Sequence, residues 1–296
     1  PAYNVSGIVR GSSPTLHNTY VAVGMHHDHT GMLPRPIDHD SVRAVNAIAR
    51  PRGADDRQAR RMTDAEWVQV RATIDSLRKV HGGVLLDLIN DGADDNCIGT
   101  VLGLAIAEAL AKSANMPPRS VLFVFHTAEE KGLFGAQYFS DHTTVPRDSI
   151  IAHVNMDQAG RGDPEDNPPS GPNALVLIGT RRLSTELGDL AETVNTRPEH
   201  GFRFDYQFDA DGEPSNGYCR SDHYMYARYG IPVAFFVGAV WNRDYHMVSD
   251  EAQYIPYERE AKIGRYVGDY VRAIASLDHR PVVDKPKPDP NGRCVQ

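Results

Sequence analysis

The sequence has few cysteines, no long apolar run and no excess of basic residues. Its 296 residues include three cysteines, Cys97, Cys219 and Cys294, whose spacing fits no zinc motif and permits at most one internal disulfide. A Cys219–Cys294 disulfide and three reduced thiols are both compatible with this count. No apolar segment approaches the roughly 20 residues needed to cross a bilayer, so no membrane-spanning segment is expected. The net charge of −8 argues against nucleic acid as a main partner.

Residues 1–10 also lack the features of a signal peptide. Pro1–Arg10 contain no charged n-region followed by an apolar h-region, as would also be true of a processed mature chain or an excised domain. What the sequence does contain is an ordinary globular composition, with 41% hydrophobic and 24% charged residues. This composition is enough to build a large core.

Apolar runs in this chain stop repeatedly at acidic or histidine residues. The run Val121–Phe125 reads as a buried strand and ends shortly before the adjacent carboxylates Glu129 and Glu130. Two neighbouring carboxylates at such a place repel each other and lose hydration, so a cation is expected to hold them, most simply a metal ion. The alternative is a solvated turn whose acidic residues begin a helix over Lys131–Phe139.

Strands and helices are predicted to alternate along the chain. Further strands are predicted at residues 20–25, 150–155, 174–178 and 232–238, and helices at 63–80, 100–112, 183–194 and 257–277. Residues 92–99 and 161–173 are predicted as loops. The alternation indicates an α/β sheet, in which ligands bind beyond the carboxyl ends of the strands.

Helical periodicity also predicts which side chains are buried. Thr63 and Glu66 form a capping-box pattern at the start of the first predicted helix. The buried faces are predicted to consist of Trp67, Val70, Ile74 and Leu77 in this helix, and of Leu102, Ala105, Ile106 and Ala109 in the next. Glu108 and Lys112 are four residues apart and suit the exposed side.

Polar residues at or soon after predicted strand ends, or in a loop that leads into a helix, form a candidate metal site. They are His26, Asp28, Asp95, Glu129, Glu130, Asp157 and His246. Each one alone is more often a helix cap or a hydrogen-bonded structural residue, but seven at one sheet edge favour a site. Two imidazoles and three carboxylates suit two zinc ions, with one histidine and one carboxylate for each ion and a further carboxylate shared between them.

Six segments carry a resemblance to a known family. They are HHDHTG (26–31), GADDN (92–96), AEEKGLFGA (128–136), NMDQAGRG (155–162), RSDH (220–223) with GIP (230–232), and YHMVSD (245–250). In this order, over almost the whole chain, they resemble the zinc-dependent peptidase family that includes secreted bacterial di-zinc aminopeptidases, glutamate carboxypeptidase and glutaminyl cyclase. The order of six motifs makes the resemblance specific.

The resemblance implies a role for each candidate residue. One zinc ion is expected to bind His26, Asp95 and Asp157, and the other Asp95, Glu130 and His246, so that Asp95 bridges the two ions. Asp28 is expected to orient the His26 ring, Glu129 to act as general base on the attacking water, and Tyr245 to donate a hydrogen bond to the developing oxyanion. Arg220 matches an arginine that contacts substrate in some relatives, or else pairs with a loop carboxylate. The Asp95–Asn96 peptide is expected to be cis.

The resemblance also implies the architecture. The expected fold is a three-layer α/β/α sandwich with a mixed central β-sheet, of the phosphorylase/hydrolase-like type. Because ligands from His26 to His246 must meet, residues 1–280 are expected to form a single catalytic domain, followed by a proline-rich tail over 281–296. Residues 31–91 are expected to form a surface insertion that acts as a lid or a specificity wall.

Several residues near the motifs do not match ligand positions. Cys97 is expected to be a buried apolar filler. His126, His153 and His223 are expected to be hydrogen-bonded structural residues.

The function that the resemblance implies is that of an aminopeptidase with two Zn²⁺ ions and peptide substrates. A carboxypeptidase or dipeptidase of the same family, a glutaminyl cyclase and a catalytically silent receptor-like domain are the alternatives. The resemblance to secreted relatives implies a secreted or periplasmic protein. The segment YNVSGIVRGSSP (3–14) resembles the approach to the catalytic domain of larger, multidomain relatives, so the chain is expected to be a fragment that lacks an upstream domain. The sequence does not indicate an oligomeric state.

Overall fold

A mixed seven-stranded sheet lies at the centre of the part of the chain that the computed structural model describes, residues 2–161, 171, 173–238 and 242–296. The strands are β1 (Val5–Val9), β2 (Tyr20–His26), β3 (Gly31–Asp38), β4 (Leu86–Asn90), β5 (Ser120–His126), β6 (Ile150–Met156), β7 (Ala174–Ile178), β8 (Arg203–Asp205) and β9 (Val233–Val237). Their order in the sheet is β1-β5-β2-β6-β9-β7-β8, while β3 and β4 form a separate antiparallel ribbon.

Helices cover both faces of the sheet. They are α1 (His39–Ala49), α2 (Asp64–His81), α3 (Ile98–Ala111), α4 (Phe134–Asp141), α5 (Thr185–Asn195), α6 (His223–Ala227) and α7 (Tyr257–Ala275). On one face, α3, α5 and α7 pack with the core side chains of β2, β6 and β9. On the other face, α4 and α6 pack on β5 and β9. The three-layer arrangement with a mixed sheet is therefore confirmed.

Four parallel strands form the middle of the sheet. The strands β5, β2, β6 and β9 are neighbours and run in the same direction. In contrast, β1 is antiparallel to β5, and β7 is antiparallel to β9 but parallel to β8. Residues of β6 and β9 are buried throughout, as expected for strands that are covered on both faces. Because these strands share a direction, their carboxyl ends open onto one edge, where the polar residues lie.

Helix α3 begins earlier and turns a different face inward than predicted. It starts at Ile98, and Ala93–Cys97 before it form an irregular helical turn rather than a simple loop. Its buried stripe consists of Leu102, Ile106 and Leu110, and Ala105 and Ala109 are exposed, so that prediction was wrong for the two alanines. The larger side chains at i, i+4 and i+8 bury more apolar area against α7 than the alanines would.

Helix α2 has the predicted capping box, since Thr63 accepts from Glu66 N and the Glu66 carboxylate accepts from Thr63 N. Of its predicted buried face, only Val70 is fully buried, and Trp67 is 41% exposed. The helix packs on α1 and not on the main core, which leaves less apolar surface to cover it.

The cysteines also differ in part from expectation. Cys219 and Cys294 form a disulfide, which decides between the two alternatives that the sequence left open. Cys97 is exposed and not buried, because the chain turns the neighbouring Asp95 and Asn96 inward instead. Most of the predicted 161–173 loop lies outside the described residues. Among the described helices, none is both long and apolar enough to span a bilayer.

Candidate metal centre

The carboxyl ends of the central strands bring the five predicted ligands to one place. His26 is the last residue of β2 and Asp157 directly follows β6. Glu130 lies in the turn after β5, Asp95 in the turn before α3, and His246 in the loop after β9. The parallel direction of these strands explains the convergence of residues that are up to 220 positions apart.

The carboxylate of Asp95 lies between the two histidines. Its Oδ1 is 3.1 Å from His26 Nε2, and its Oδ2 is 3.0 Å from His246 Nε2. Each histidine also faces a second carboxylate: Asp157 Oδ1 is 3.3 Å from His26 Nε2, and Glu130 Oε2 is 2.9 Å from His246 Nε2. The five side chains thus form two groups that share one carboxylate.

The donor set fits divalent zinc. The groups consist of imidazole nitrogens and carboxylate oxygens, which are the nitrogen and oxygen ligands that zinc takes in catalytic sites. Burial raises the pKa of Asp157, whereas hydrogen bonds from His246 and His26 outweigh burial at Asp95 and hold its pKa below the usual range. Three buried or half-buried carboxylates with only two imidazoles leave an excess of negative charge, which favours a bound cation.

Three residues at the site have a strained backbone. Ala128 before Glu129, Gln158 after Asp157, and His246 itself have φ values of 55°, 50° and 54°. Non-glycine residues rarely adopt this left-handed conformation, which costs of order 1–3 kcal/mol and is concentrated at functional sites. The Asp95–Asn96 peptide is cis, as the resemblance implied.

Asp28 lies beside His26 but holds other atoms as well. Its backbone oxygen accepts from His26 Nδ1 at 3.1 Å, while its carboxylate Oδ1 is 3.8 Å from that nitrogen. The same carboxylate accepts from the backbone N–H groups of Glu129 and Glu130 at 3.0 and 3.4 Å. Asp28 therefore orients the ring through its carbonyl group and shapes the Glu129–Glu130 turn through its side chain.

Glu129 and Glu130 face different ligand groups of the site. Its carboxylate lies near His26 and Asp157, with the nearest ligand atoms of the three within 4.8 Å of one another. Burial, together with the charges of Asp157 and Asp222, raises the pKa of Glu129. Glu130 therefore faces His246. Glu129 faces His26 and Asp157 at the wall of the pocket.

Three side chains that support the site were not predicted from the sequence. The Asp250 side chain accepts from the backbone N–H groups of Asp94 and Asp95 at 3.0 and 3.1 Å. Ser221 Oγ donates to Asp157 Oδ2 at 2.7 Å, and His29 Nδ1 is 2.8 Å from Glu130 Oε1. These residues lie inside the six segments, but their partners lie on other elements, so spacing alone did not indicate them.

Tyr245 and Arg220 line the pocket together with a residue of the 31–91 insertion. Arg220 Nη1 and Nη2 each lie 3.0 Å from a carboxylate oxygen of Asp55, and Nη2 also donates to the Tyr245 hydroxyl oxygen at 3.0 Å. Burial and the charge of Asp95 raise the pKa of Tyr245. The salt bridge that the sequence left open for Arg220 is thus formed with Asp55, and Tyr245 remains a neutral hydroxyl.

The insertion touches the loop that carries Tyr245 very closely. A Cβ on Gly53, which has φ of 55°, would lie 2.5 Å from the Tyr245 carbonyl oxygen, and Ala54 N donates to that oxygen at 3.0 Å. Only glycine fits this approach. Part of residues 31–91 is therefore built into the wall of the site; its action as a lid stays a prediction.

The histidines that were not assigned as ligands are buried below the site. His126 Nε2 lies 2.9 Å from the Tyr226 hydroxyl and His126 Nδ1 3.0 Å from Asp222. His153 stacks on Tyr226 and His223 on Phe235, with centroid distances of 3.8 and 4.5 Å. Burial lowers the pKa of His223 to about 3 and that of His153 well below its usual value, so both are neutral.

Comparison with known sequences gives a family match over most of the chain. The sequence model of peptidase family M28 matches residues 4–271. The vacuolar membrane protease of Botryotinia fuckeliana (strain B05.10) is 30% identical over 125 residues, 40% of this chain and 11% of that protein. That of Pyricularia oryzae is 34% identical over 87 residues, 27% of this chain and 8% of that protein. The chain spans about a tenth of the length of these curated relatives.

Solved structures share the fold. The aminopeptidase from Aneurinibacillus sp. strain AM-1 matches with a TM-score of 0.58 at 17% identity, over 96% of this chain and 50% of that chain. A zinc aminopeptidase from Bacillus subtilis has a TM-score of 0.56 at 19% identity, over 90% and 49%. Glutaminyl cyclase from Porphyromonas gingivalis has a TM-score of 0.57 at 18% identity, over 90% and 76%. The chain spans about half the length of the two aminopeptidase chains.

Proposed function

We propose that this chain, which belongs to peptidase family M28, is a di-zinc aminopeptidase that hydrolyses the first peptide bond of its substrates. Membership of the family makes it a metallopeptidase. The number of metal ions is supported chiefly by one observation: the two oxygens of Asp95 face two different histidines, at 3.1 and 3.0 Å. A carboxylate in this position suits a bridge between two cations.

Each proposed ion has a defined set of protein ligands. His26, Asp95 and Asp157 would hold one ion, and Asp95, Glu130 and His246 the other. When bound, such ions lower the pKa of a water molecule, polarise the scissile carbonyl group and stabilise developing negative charge. The chain's own residues then supply proton transfer, orientation and substrate recognition.

Glu129 is the proposed general base. Its carboxylate lies near His26 and Asp157 at the pocket wall, and its backbone N–H is held by the Asp28 side chain at 3.0 Å. It accepts the proton of the attacking water at a carboxylate oxygen and can pass that proton to the leaving amine. Positioned acid–base groups of this kind contribute about 10²- to 10⁴-fold to rate.

Tyr245 is the proposed oxyanion donor. Arg220 donates to the Tyr245 hydroxyl oxygen at 3.0 Å, so the phenolic hydrogen is free to point towards a substrate oxygen. Because the nearby positive charge favours electron withdrawal from the hydroxyl, the same contact strengthens the donor. Arg220 is in this view a positioning residue for Tyr245.

The pocket favours a free amino terminus over a free carboxylate. Its charged lining includes Asp55, Asp95, Glu129 and Asp157, against the single guanidinium of Arg220. Two nitrogens of that guanidinium already pair with Asp55, so it is not available as the anchor that a carboxypeptidase needs for the substrate carboxylate. An ammonium group, in contrast, could pair with Glu129, the lining carboxylate that is neither a proposed zinc ligand nor bound to Arg220.

The remaining wall suggests the preferred side chain. Ile178, Phe208, Phe235 and Val237 line the same pocket beyond the ligands. Apolar walls with few polar groups bind apolar side chains. We therefore propose peptides with an apolar first residue as the substrate class.

The proposed location is an oxidising compartment, secreted or periplasmic. It is supported by the Cys219–Cys294 disulfide, since such bonds persist outside reducing compartments.

The proposal is tested by measuring zinc content and the hydrolysis of amino-acid p-nitroanilides with free or blocked amines. The free substrates should be cleaved about 10- to 100-fold faster, the value of a charged hydrogen bond. Peptides with a blocked amine and a free carboxylate serve as the control for carboxypeptidase activity. Equal rates on free and blocked amines would exclude the aminopeptidase proposal. A single zinc ion at the catalytic centre would exclude the proposed bridge through Asp95.

A further inference from the structure

A second cluster of histidines and carboxylates lies in the 31–91 insertion. It consists of His39 and Asp40, the first two residues of α1, and His81, the last residue of α2. His39 Nδ1 is 3.0 Å and His81 Nδ1 is 2.9 Å from the same oxygen, Asp40 Oδ1. We propose that these three side chains bind a zinc ion that is separate from the catalytic pair and fastens the two helices together.

The spacing of the ligand atoms fits zinc. In a tetrahedral site with bonds of about 2.0–2.1 Å, neighbouring ligand atoms lie about 3.3 Å apart. The nitrogen–oxygen distances of 3.0 and 2.9 Å need only a small opening to reach this value, and the three nearest ligand atoms all lie within 4.8 Å of one another. The contacts between histidine and carboxylate at the catalytic centre, 2.9–3.3 Å, have the same size.

Hydrogen bonding among the described residues satisfies only part of the cluster. His39 and Asp40 are completely buried. Both imidazoles face one oxygen of Asp40, and the other oxygen, Oδ2, is buried without a hydrogen-bond partner among the described residues. A buried carboxylate oxygen normally has a hydrogen-bond partner or a cation beside it, because leaving it unpaired is costly. A cation in front of the carboxylate satisfies it and also attracts both imidazole nitrogens.

The surroundings of His39 match those of a metal-binding histidine. Its other ring nitrogen, Nε2, lies 3.1 Å from Glu251 Oε2, and its ring stacks on Tyr254 at 6.1 Å between centroids. A ligating histidine almost always donates its second N–H to a carboxylate or carbonyl group, which fixes the ring and its tautomer. The side chain of His81 is 18% exposed, so a water molecule can complete the coordination from that side.

The ion would join the insertion to the catalytic loops. Glu251 directly follows Asp250, whose carboxylate accepts from the backbone N–H groups of Asp94 and Asp95. The insertion in turn carries Asp55 to Arg220. The role proposed for the ion is therefore structural.

The experiment counts zinc bound to the full chain after removal of loosely held metal. His81→Gln should hold one zinc ion fewer than the wild type and keep its kcat/KM for peptide substrates. His279→Gln is the matched control, because His279 also contacts two carboxylates, Asp278 and Glu186 at 2.6 Å, but lies on the surface. This variant should hold as much zinc as the wild type. Equal zinc contents in His81→Gln and the wild type would overturn the proposal, as would an equal loss in both variants.

A second measurement tests the proposal without a change in the cluster. Asp95→Asn removes the bridging ligand of the catalytic pair, and one tightly held zinc should remain in this variant. Retention of no tightly held zinc would overturn the proposal, even if His81→Gln failed to fold. The comparison of His81→Gln with the wild type measures a difference in zinc content between two chains with the same catalytic residues. Its outcome therefore does not depend on how many zinc ions the catalytic centre holds.

Discussion

The two histidine–carboxylate clusters of this molecule are alike in their contacts and different in their origin. The proposed ligands of the catalytic centre come from strand ends and from loops beside them, from His26 to His246, whereas the second cluster uses only the ends of α1 and α2. The first therefore requires the whole parallel sheet, and the second requires only a helix pair. The catalytic cluster also borders a pocket with Glu129, Arg220 and Tyr245. Chemistry is thus expected at the cluster that the sheet assembles, and structural support at the other.

The largest effect is expected for the base beside the catalytic cluster. Glu129→Gln keeps the size of the side chain but cannot accept the proton, so kcat should fall by about 10⁴-fold, the upper end for a general base. Zinc content should stay at the wild-type value, since Glu129 is not a proposed ligand. Steady-state kinetics and metal analysis of the same preparation measure both. A variant with full activity and full zinc would remove Glu129 from the mechanism.

The next largest effect is expected for the oxyanion donor. Tyr245→Phe removes a hydroxyl that contacts Arg220 and should lower kcat by about 10²- to 10³-fold, with a smaller change in KM. The measurement is the separate determination of kcat and KM on one p-nitroanilide. A rise in KM alone, with kcat unchanged, would instead assign Tyr245 to substrate binding.

A change at the second cluster should affect metal binding but not catalysis. Glu251→Gln weakens the partner of His39 Nε2, which lies 3.1 Å away, and should weaken zinc binding there about 10- to 100-fold. Competition with a chelator of known affinity measures this change, and peptidase activity serves as the internal control. If activity fell in parallel with zinc affinity, the two clusters would not be separable in the way described.

The smallest effect concerns the buried histidines that neither cluster uses. His223 has a pKa lowered from 6.5 to about 3 by burial, whereas in the unfolded chain it titrates near its ordinary value. Below pH 6.5 the unfolded state binds more protons than the folded state. The free energy of unfolding therefore decreases as the pH is lowered, by up to about 1.4 kcal/mol per pH unit for each such histidine. His223→Phe should make this decline shallower in urea unfolding between about pH 7 and pH 5. An identical slope in the wild type and the variant would contradict the assignment.

The predictability of the fold depended on the length of each pattern. The strands around Val121–Phe125 and 150–155 were predicted because continuous apolar runs have few alternatives in an α/β protein. The inward face of α3 was predicted less well: Ala105 and Ala109 fit the helical period but lie outside. Which apolar stripe is buried depends on the partner helix α7, about which local periodicity carries no information.

The predictability of the site depended on whether a residue's partner was visible in the chain. The five proposed ligands could be predicted because each lies after a strand or in a loop before a helix, and within a family motif, and the structure brings them together. Asp55 and Asp250 could not, since their roles arise from contacts with Arg220 and with the Asp94–Asp95 backbone far away in the chain. The second cluster went unnoticed for the same reason, because His39 and His81 meet only when α1 packs on α2.

The Cys219–Cys294 disulfide has a consequence for proteolysis. It closes a loop of 75 residues that begins next to Arg220 and contains the largely exposed segment 284–293. Proteases prefer exposed segments that lack regular structure. After a single cut in that segment, the disulfide would still join the short C-terminal peptide to Cys219, beside the pocket residue Arg220. Such a nicked chain would migrate as one species on a non-reducing gel and would release the peptide only after reduction.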